Sequence, residues 1–197
     1  MQEKVRRTNA ERSRSTREAL LEAARALFVT AGYAATGTPE IVKAAAVTRG
    51  ALYHHFADKA ALFEGVVRQE AQAVANAIAA ATAGIVDPRQ ALEAGADAFL
   101  DAMAVEGRTR LLLIDGPAVL GREAMERIDR ETASATLLEG IAQLAGREAD
   151  EDIRVLASML SSAFDRAALD IAGGADDRPY RRQLKKLLST VPAILAQ

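Results

Sequence analysis

The chain has 197 residues, half of them apolar, no cysteine and a formal net charge of −2 at pH 7. Disulfides and thiolate metal sites are therefore excluded. No charged-then-apolar leader is visible and no apolar run approaches the ~20 residues that span a bilayer, so a soluble cytoplasmic protein with no membrane partner is expected. The charge is unevenly divided: residues 1–68 carry 11 Lys/Arg against 7 Asp/Glu, net +4, and residues 69–197 carry 14 against 20, net −6. A basic amino-terminal third suits phosphate contact, although a chance fluctuation of a few charges would look the same.

In chain order, residues 1–13 (Lys4, Arg6, Arg7 and Arg12 among polar neighbours) show no apolar period and are expected to form a mobile basic arm. From Thr16, Leu20, Ala23, Ala24, Leu27 and Phe28 recur at helical steps, and Gly32 offers a left-handed stop. The next helix begins at Gly37 or Thr38; Thr38 as N-cap would put Pro39 at the first helical position, where its missing N–H costs nothing. Ile41 to Phe56 reads as two short helices around a tight turn, the second opening at Thr48. Asp58 caps a helix with Leu62, Phe63, Val66 and Val67 on its inner side, whose alanine-rich continuation reaches about Ala81. Asp87-Pro88 starts another, carrying Leu92, Ala96, Phe99 and Met103. An apolar run, Leu111 to Ile114, is expected to break at Gly116-Pro117 and to form a hinge there. Further helices are expected from about Arg122 to Leu144, from Asp150-Glu151-Asp152 to Gly173-Gly174, and after Pro179. The fold class is all-α with about nine helices, divided into the arm, a first helical domain over 14–74 that holds the paired short helices, and a second helical domain over 75–197.

The chemistry concentrates in the paired short helices. A helix-turn-helix lays its second helix in the major groove while the first crosses the backbone. Ile41, Ala45, Val47, Leu52 and Phe56 would pack the pair, leaving polar or tiny residues outward. Arg49 can donate two parallel hydrogen bonds to a guanine edge, and Gly50 and Ala51 admit close approach of bases. Tyr53, His54 and Lys59 suit phosphate oxygens, which fix register without reading sequence; Thr48 as N-cap leaves backbone N–H groups that favour a phosphate. The competing readings are a core position for Tyr53 and plain solvation for Arg14 and Arg17, which otherwise reach a minor groove. Adjacent His54 and His55 point about 100° apart, which argues against a shared metal.

Ala23, Ala24, Leu27, Phe28, Gly32 and Tyr33, followed by Ile41, Ala45, Val47, Thr48, Gly50, Leu52, Tyr53, His55, Phe56, Lys59 and Leu62, closely resemble the amino-terminal frame of the TetR family of transcriptional repressors. The resemblance covers about residues 16–67. It implies phosphate contacts at Thr38, Tyr53 and Lys59, base reading at Arg49 and Ala51, and Thr48 and His54 close by. Three departures stand out: Ala46 where a turn glycine is usual, Val42 where alanine is usual, and Gly37 with Pro39 where a hydroxyl cap and a polar side chain are common.

The resemblance further implies a ligand cavity among the middle helices and dimerisation through the last two. Phe99, Met103, Leu112, Met125, Ile128 and Met159 are pocket candidates, with core packing the competing reading. Leu156, Leu160, Phe164, Leu184, Leu188 and Val191 are candidates for a dimer interface, again against an ordinary core. Glu93, Asp97 and Asp101 form an acidic line that either attracts a cation or is a solvated face. The expected function is a homodimeric DNA-binding regulator, a repressor released from a palindromic operator by a small-molecule inducer. The alternatives are a ligand-independent regulator and a helical protein-interaction module. An enzyme lacks support: there is no Glu-x-x-His pair or Gly-rich phosphate loop, and no metal or other cofactor is implied.

Overall fold

The structure is a computed structural model that describes residues 8–195. All regular elements among the described residues are helical. The chain divides into two compact units, Met1–Val67 and Arg68–Gln197. The division lies inside one long helix, seven residues before the boundary expected at 74/75.

In the first unit α1 spans Asn9–Ala35. It starts earlier than the apolar period predicts because Thr8 and Glu11 close a capping box. Thr8 Oγ1 accepts the Glu11 N–H at 3.2 Å, and the Glu11 carboxylate accepts the Thr8 N–H at 2.7 Å. The expected mobile arm is corrected over residues 9–13, which are helical; Lys4, Arg6 and Arg7 lie outside the described residues. The predicted stop at Gly32 is a kink: φ there is 81°, a value glycine adopts without penalty. The Thr36 hydroxyl donates to the carbonyls of Leu27 and Gly32 at 3.2 and 2.8 Å and closes the end.

α2 spans Thr38–Ala44 with Gly37, not Thr38, as N-cap. The Glu40 carboxylate accepts the Gly37 N–H at 2.8 Å, so Thr38 is the first helical residue and Pro39 the second. α3 spans Arg49–His55, capped by Thr48. Between them the chain makes a Schellman turn, with Ala46 N–H donating to Lys43 O at 3.2 Å and Val47 N–H to Val42 O at 3.0 Å. Ala46 is held at φ 53°, alone among the described non-glycine residues in having positive φ. A left-handed alanine is strained, so Ala46→Gly is expected to stabilise the protein by about 1 kcal/mol. The measurement is a urea titration: a higher midpoint at unchanged slope is expected, and an unmoved midpoint would refute the strain.

α4, Lys59–Thr82, crosses the unit division. Its Asp58 cap accepts the Ala61 N–H at 2.7 Å. Leu62, Phe63, Val66 and Val67 are buried with Leu20, Ala24 and Phe28 of α1, Ile41 of α2 and Leu52 of α3. Phe63 packs edge-on to Phe28 with ring centroids 5.2 Å apart. Burying each such large side chain contributes about 1.5–3 kcal/mol, which fixes the short α2 and α3 to a scaffold they could not supply themselves.

The second unit contains the rest of α4, then α5 (Pro88–Met103), α6 (Arg108–Arg110), a π-helical turn (Leu111–Asp115), α7 (Gly116–Leu120), α8 (Arg122–Arg130), α9 (Ala133–Ala145), α10 (Glu151–Ala172) and α11 (Asp177–Leu195). α5 packs on α9 and α11, and α9 and α11 both pack on α10. Two expectations are corrected here. The chain does not break at Gly116-Pro117: Gly116 is helical at φ −55° and its N–H donates to Leu111 O, five residues back. A wide turn suits Pro117, which has no N–H for an ordinary helical bond and would crowd the carbonyl four residues earlier. The change of direction comes instead at Gly121, φ 83°. The single helix expected from Arg122 to Leu144 is two, because the Thr132 hydroxyl donates to Ile128 O at 2.8 Å and Ser134 to the Asp129 carboxylate, local bonds that compete with the helical ladder.

The acidic line on α5 is not free for a ligand. Arg181 of α11 reaches Asp97 at 3.4 Å and Asp101 at 2.6 Å, Lys185 reaches Asp97 at 2.6 Å, and Glu93 pairs with Arg89 at 3.3 Å. It ties α5 to α11.

Candidate functional site

Thr38, Arg49 and Tyr53 come together at the exposed side of the helix-turn-helix. Tyr53 lies one turn after Arg49 on α3, and the Arg49 guanidinium sits 5.5 Å from the Tyr53 ring centroid. Hydrogen bonds from Thr38, at the start of α2, and from Arg49 hold the Tyr53 phenol below its ordinary pKa. Tyr53 is 43% exposed, so the core reading is corrected. Its hydroxyl lies beside residues of two elements, Thr38 of α2 and Arg49 of α3.

At the start of α3 the Thr48 hydroxyl accepts the Ala51 N–H at 3.1 Å. The Arg49 and Gly50 N–H groups remain without intrahelical acceptors, as first-turn groups do. A Cβ added at Gly50 would meet nothing closer than Thr48 Oγ1 at 3.9 Å, so glycine is not demanded by packing inside the protein. It leaves the surface flat where a base edge would approach. His54 is exposed beside them. His55 is half-buried, and burial, then the neighbouring charges of His54 and Arg17, push its pKa below the ordinary imidazole value. Arg17 lies with its guanidinium 5.2 Å from the Phe56 ring centroid. Among the described residues no group of three or more His, Asp or Glu stands together as a metal site.

Lys59 is placed differently from the rest. Its ammonium donates to the carbonyls of Tyr33 at 2.9 Å and Thr36 at 3.1 Å and lies 4.2 Å from the Tyr33 ring centroid. Two of its three N–H groups thus close the end of α1, which leaves one for a phosphate. Its main part here is to lock α1 to the start of α4.

In the second unit Phe99, Met103, Leu112, Met125 and Ile128 line one cavity of ≈ 350 Å³ with Ala71, Val74, Leu113, Pro117 and Leu169. Met159 is corrected as a pocket residue: it is 66% exposed on the outer side of α10. Sequence reasoning missed Asp129 and Asp165, which also line this cavity. The available signal was Asp165 between Phe164 and Ala168 on the inward side of α10, a charge where the apolar period predicts none. Burial, and then the charge of Asp129, push the Asp165 carboxyl up to about 7. A carboxyl raised in the folded state stabilises the fold while protonated and loses that contribution as pH rises from about 4 through 7. Asp165→Asn is therefore expected to be more stable than the parent at pH 8 and to flatten the decline. Thermal melts at several pH values check this, and parallel curves for the two proteins would contradict it.

Five of the six dimer candidates are also corrected. Leu160, Phe164, Leu184, Leu188 and Val191 are buried within one chain, and Leu156 is half-buried. The five buried ones lie on the inward stripes of α10 and α11. The exposed apolar residues are Val155 and Met159 on α10 and Leu187 and Ile194 on α11. No helix among the described residues is long and apolar enough to cross a membrane.

Comparison with known proteins identifies the family of both units. Residues 20–66 match the family described as bacterial regulatory proteins, tetR family, and residues 89–194 match the tetracyclin repressor-like C-terminal domain. The HTH-type transcriptional repressor AcnR of Corynebacterium diphtheriae is 27% identical over 168 residues, covering 85% of this chain and 87% of that protein. The HTH-type transcriptional activator FasR of Mycolicibacterium smegmatis is 27% identical over 150 residues, 75% of this chain and 68% of that one. The crystal structure of a TetR-family transcriptional regulator from Pectobacterium atrosepticum superposes with a TM-score of 0.67 at 29% identity, covering 96% of this chain and 97% of that chain. With its helix-turn-helix and its helical second unit both matched, the chain belongs to the TetR family of DNA-binding transcriptional regulators and is not an enzyme.

Proposed function

We propose that this regulator is a cytoplasmic homodimeric repressor that holds a palindromic operator and is released by a small molecule seated in the second unit. The observation that carries the DNA part is the convergence of Thr38, Arg49 and Tyr53 beside the bare Gly50. Arg49 reads a base edge; Tyr53 and Thr38 hold a phosphate. Thr48, Ala51 and His54 border the same surface, and Lys59 contributes its remaining N–H.

The dimer rests on the outward line of Val155 and Met159 on α10 and Leu187 and Ile194 on α11, exposed apolar side chains at helical spacing. Leu156 lies at its margin, while the buried Leu160, Phe164, Leu184, Leu188 and Val191 support it from beneath. The small-molecule part rests on the ≈ 350 Å³ cavity, within the range that drug-sized ligands occupy. A regulator without a ligand would fill that space with side chains.

Selection of a random duplex library by the full chain tests the reading. Enrichment of a palindrome with half-site centres about 34–36 Å apart, or a multiple, is expected. Enrichment of a lone half-site would remove the dimer, and no enrichment would remove sequence reading altogether.

A further inference from the structure

We propose that the cavity between α5, α8 and α10 takes an organic cation with an aromatic or alkyl body, its charge seated against the Asp129 and Asp165 carboxylates. This rests on the reading of that cavity as the effector site and adds the chemical class of the effector.

The walls favour an apolar body: Phe99, Met103, Leu112, Met125, Ile128 and Leu169 surround the ≈ 350 Å³ space. The two methionines adapt to irregular shapes, and Phe99 adds an aromatic ring, a group that attracts cations. Against these stand two carboxylates. Asp129 accepts a hydrogen bond from Ser134, whose hydroxyl lies 3.1 Å from that of Ser161. Asp165 has no hydrogen bond or ion pair among the described residues and faces the charge of Asp129. Among the described residues the lining holds one guanidinium, Arg122, which is bound to Glu126 at 2.5 Å. No described cation is paired with either carboxylate. A desolvated carboxylate with nothing to pair with is costly, and proteins satisfy such groups with a partner or a proton. Here the proton is held on Asp165, whose carboxyl titrates at about 7. A bound ammonium can replace that proton. An anion would meet two like charges, and a neutral ligand would leave the carboxyl as it is.

Another cavity, ≈ 280 Å³ between α4, α5, α9 and α10, carries a single carboxylate, Glu139, and hydroxyl and amide groups besides. It lacks this juxtaposition of charge and apolar wall.

The test is calorimetric titration of the full chain at pH 8 with phenylbutyltrimethylammonium, its uncharged tert-butyl isostere and phenylhexanoate. The cation is expected to bind on the order of tenfold tighter than the isostere, with the carboxylate weakest. Asp165→Asn is expected to bring the cation down to the level of the isostere while leaving the isostere unchanged. Besides Asp165, the ionisable groups facing the cavity are Asp129, Arg122 and Glu126. The probe's own charge is permanent, so weaker cation binding at pH 6 than at pH 8 is expected in the parent and not in Asp165→Asn. Equal binding of cation and isostere by the parent, or undiminished cation binding by Asp165→Asn, overturns the proposal. A circular dichroism melt checks that the variant folds; should it not, Asp129→Asn takes its place in the same comparison. Because the titration uses no DNA, its outcome is separate from duplex selection. Cation preference without operator binding leaves this inference standing and removes the repressor, and operator binding without cation preference does the reverse.

Discussion

Arg49→Ala is expected to weaken binding to the selected operator roughly ten- to a hundredfold and to relax the base preference at one position of each half-site. Tyr53→Phe is expected to weaken all sequences alike and leave the preference intact. The difference follows from what each side chain can present. Arg49 projects from the first turn of α3 with no ion pair among the described residues and only the Tyr53 ring beneath it. Tyr53 offers one hydroxyl, held by Thr38 and Arg49, which suits a phosphate oxygen and carries no base information. Removing that hydroxyl deletes no charge, so the dependence of affinity on salt should keep its slope in Tyr53→Phe. Fluorescence anisotropy against the operator and single-base variants, at several salt concentrations, reads all of this. If Arg49→Ala retained the full base preference, the side chain would be a phosphate contact at most.

The largest effect on stability is expected from Arg108→Met, a loss of about 3–5 kcal/mol. Arg108 Nε lies 2.8 Å from Glu70 Oε2, and its Nη1 donates to Ala102 O at 2.7 Å. Both side chains are nearly out of water, 11% and 6% exposed. Taking away the guanidinium removes a compensating positive charge from beside a buried carboxylate on α4. Replacing both residues, Glu70→Met with Arg108→Met, is expected to recover most of the loss, because the desolvation cost disappears with the second charge. A double-mutant cycle from urea unfolding measures the coupling; additive losses would show that the pair does not act as one unit. The pair also holds α4 to the segment that continues into Leu112 and Leu113 of the cavity wall. The same protein therefore has a reason to retain an interaction that an apolar pair could match in stability.

Much of the first unit was legible because its signals are local. The Thr48 and Asp58 caps, the Gly32 interruption and the turn around Ala46 each depend on residues within a few positions of one another. The outward set Arg49, Gly50 and Tyr53 follows from which residues of a short helix remain after Leu52 and Phe56 are buried. The Thr8–Glu11 capping box was equally local, but it precedes the first apolar position, so periodicity placed the start of α1 too late. Lys59 is where local signals end: its place after the helix-turn-helix suggests a phosphate contact, yet its ammonium is turned to two carbonyls 26 and 23 residues away in the chain.

In the second unit the sequence pattern located most of the helices and their caps, and five of its six pocket candidates lie in the wall of one cavity. Packing between distant segments sets which stripe of α10 and α11 faces inward, turns Met159 out, brings Asp97 and Asp101 to Arg181, and puts Asp165 in one wall with Asp129. The physical reason is that helical periodicity records how often an apolar residue returns to one face, and this is the same for a core and for a subunit interface. What a face meets, and whether a charge on it finds a partner, depends on residues brought together from distant parts of the chain.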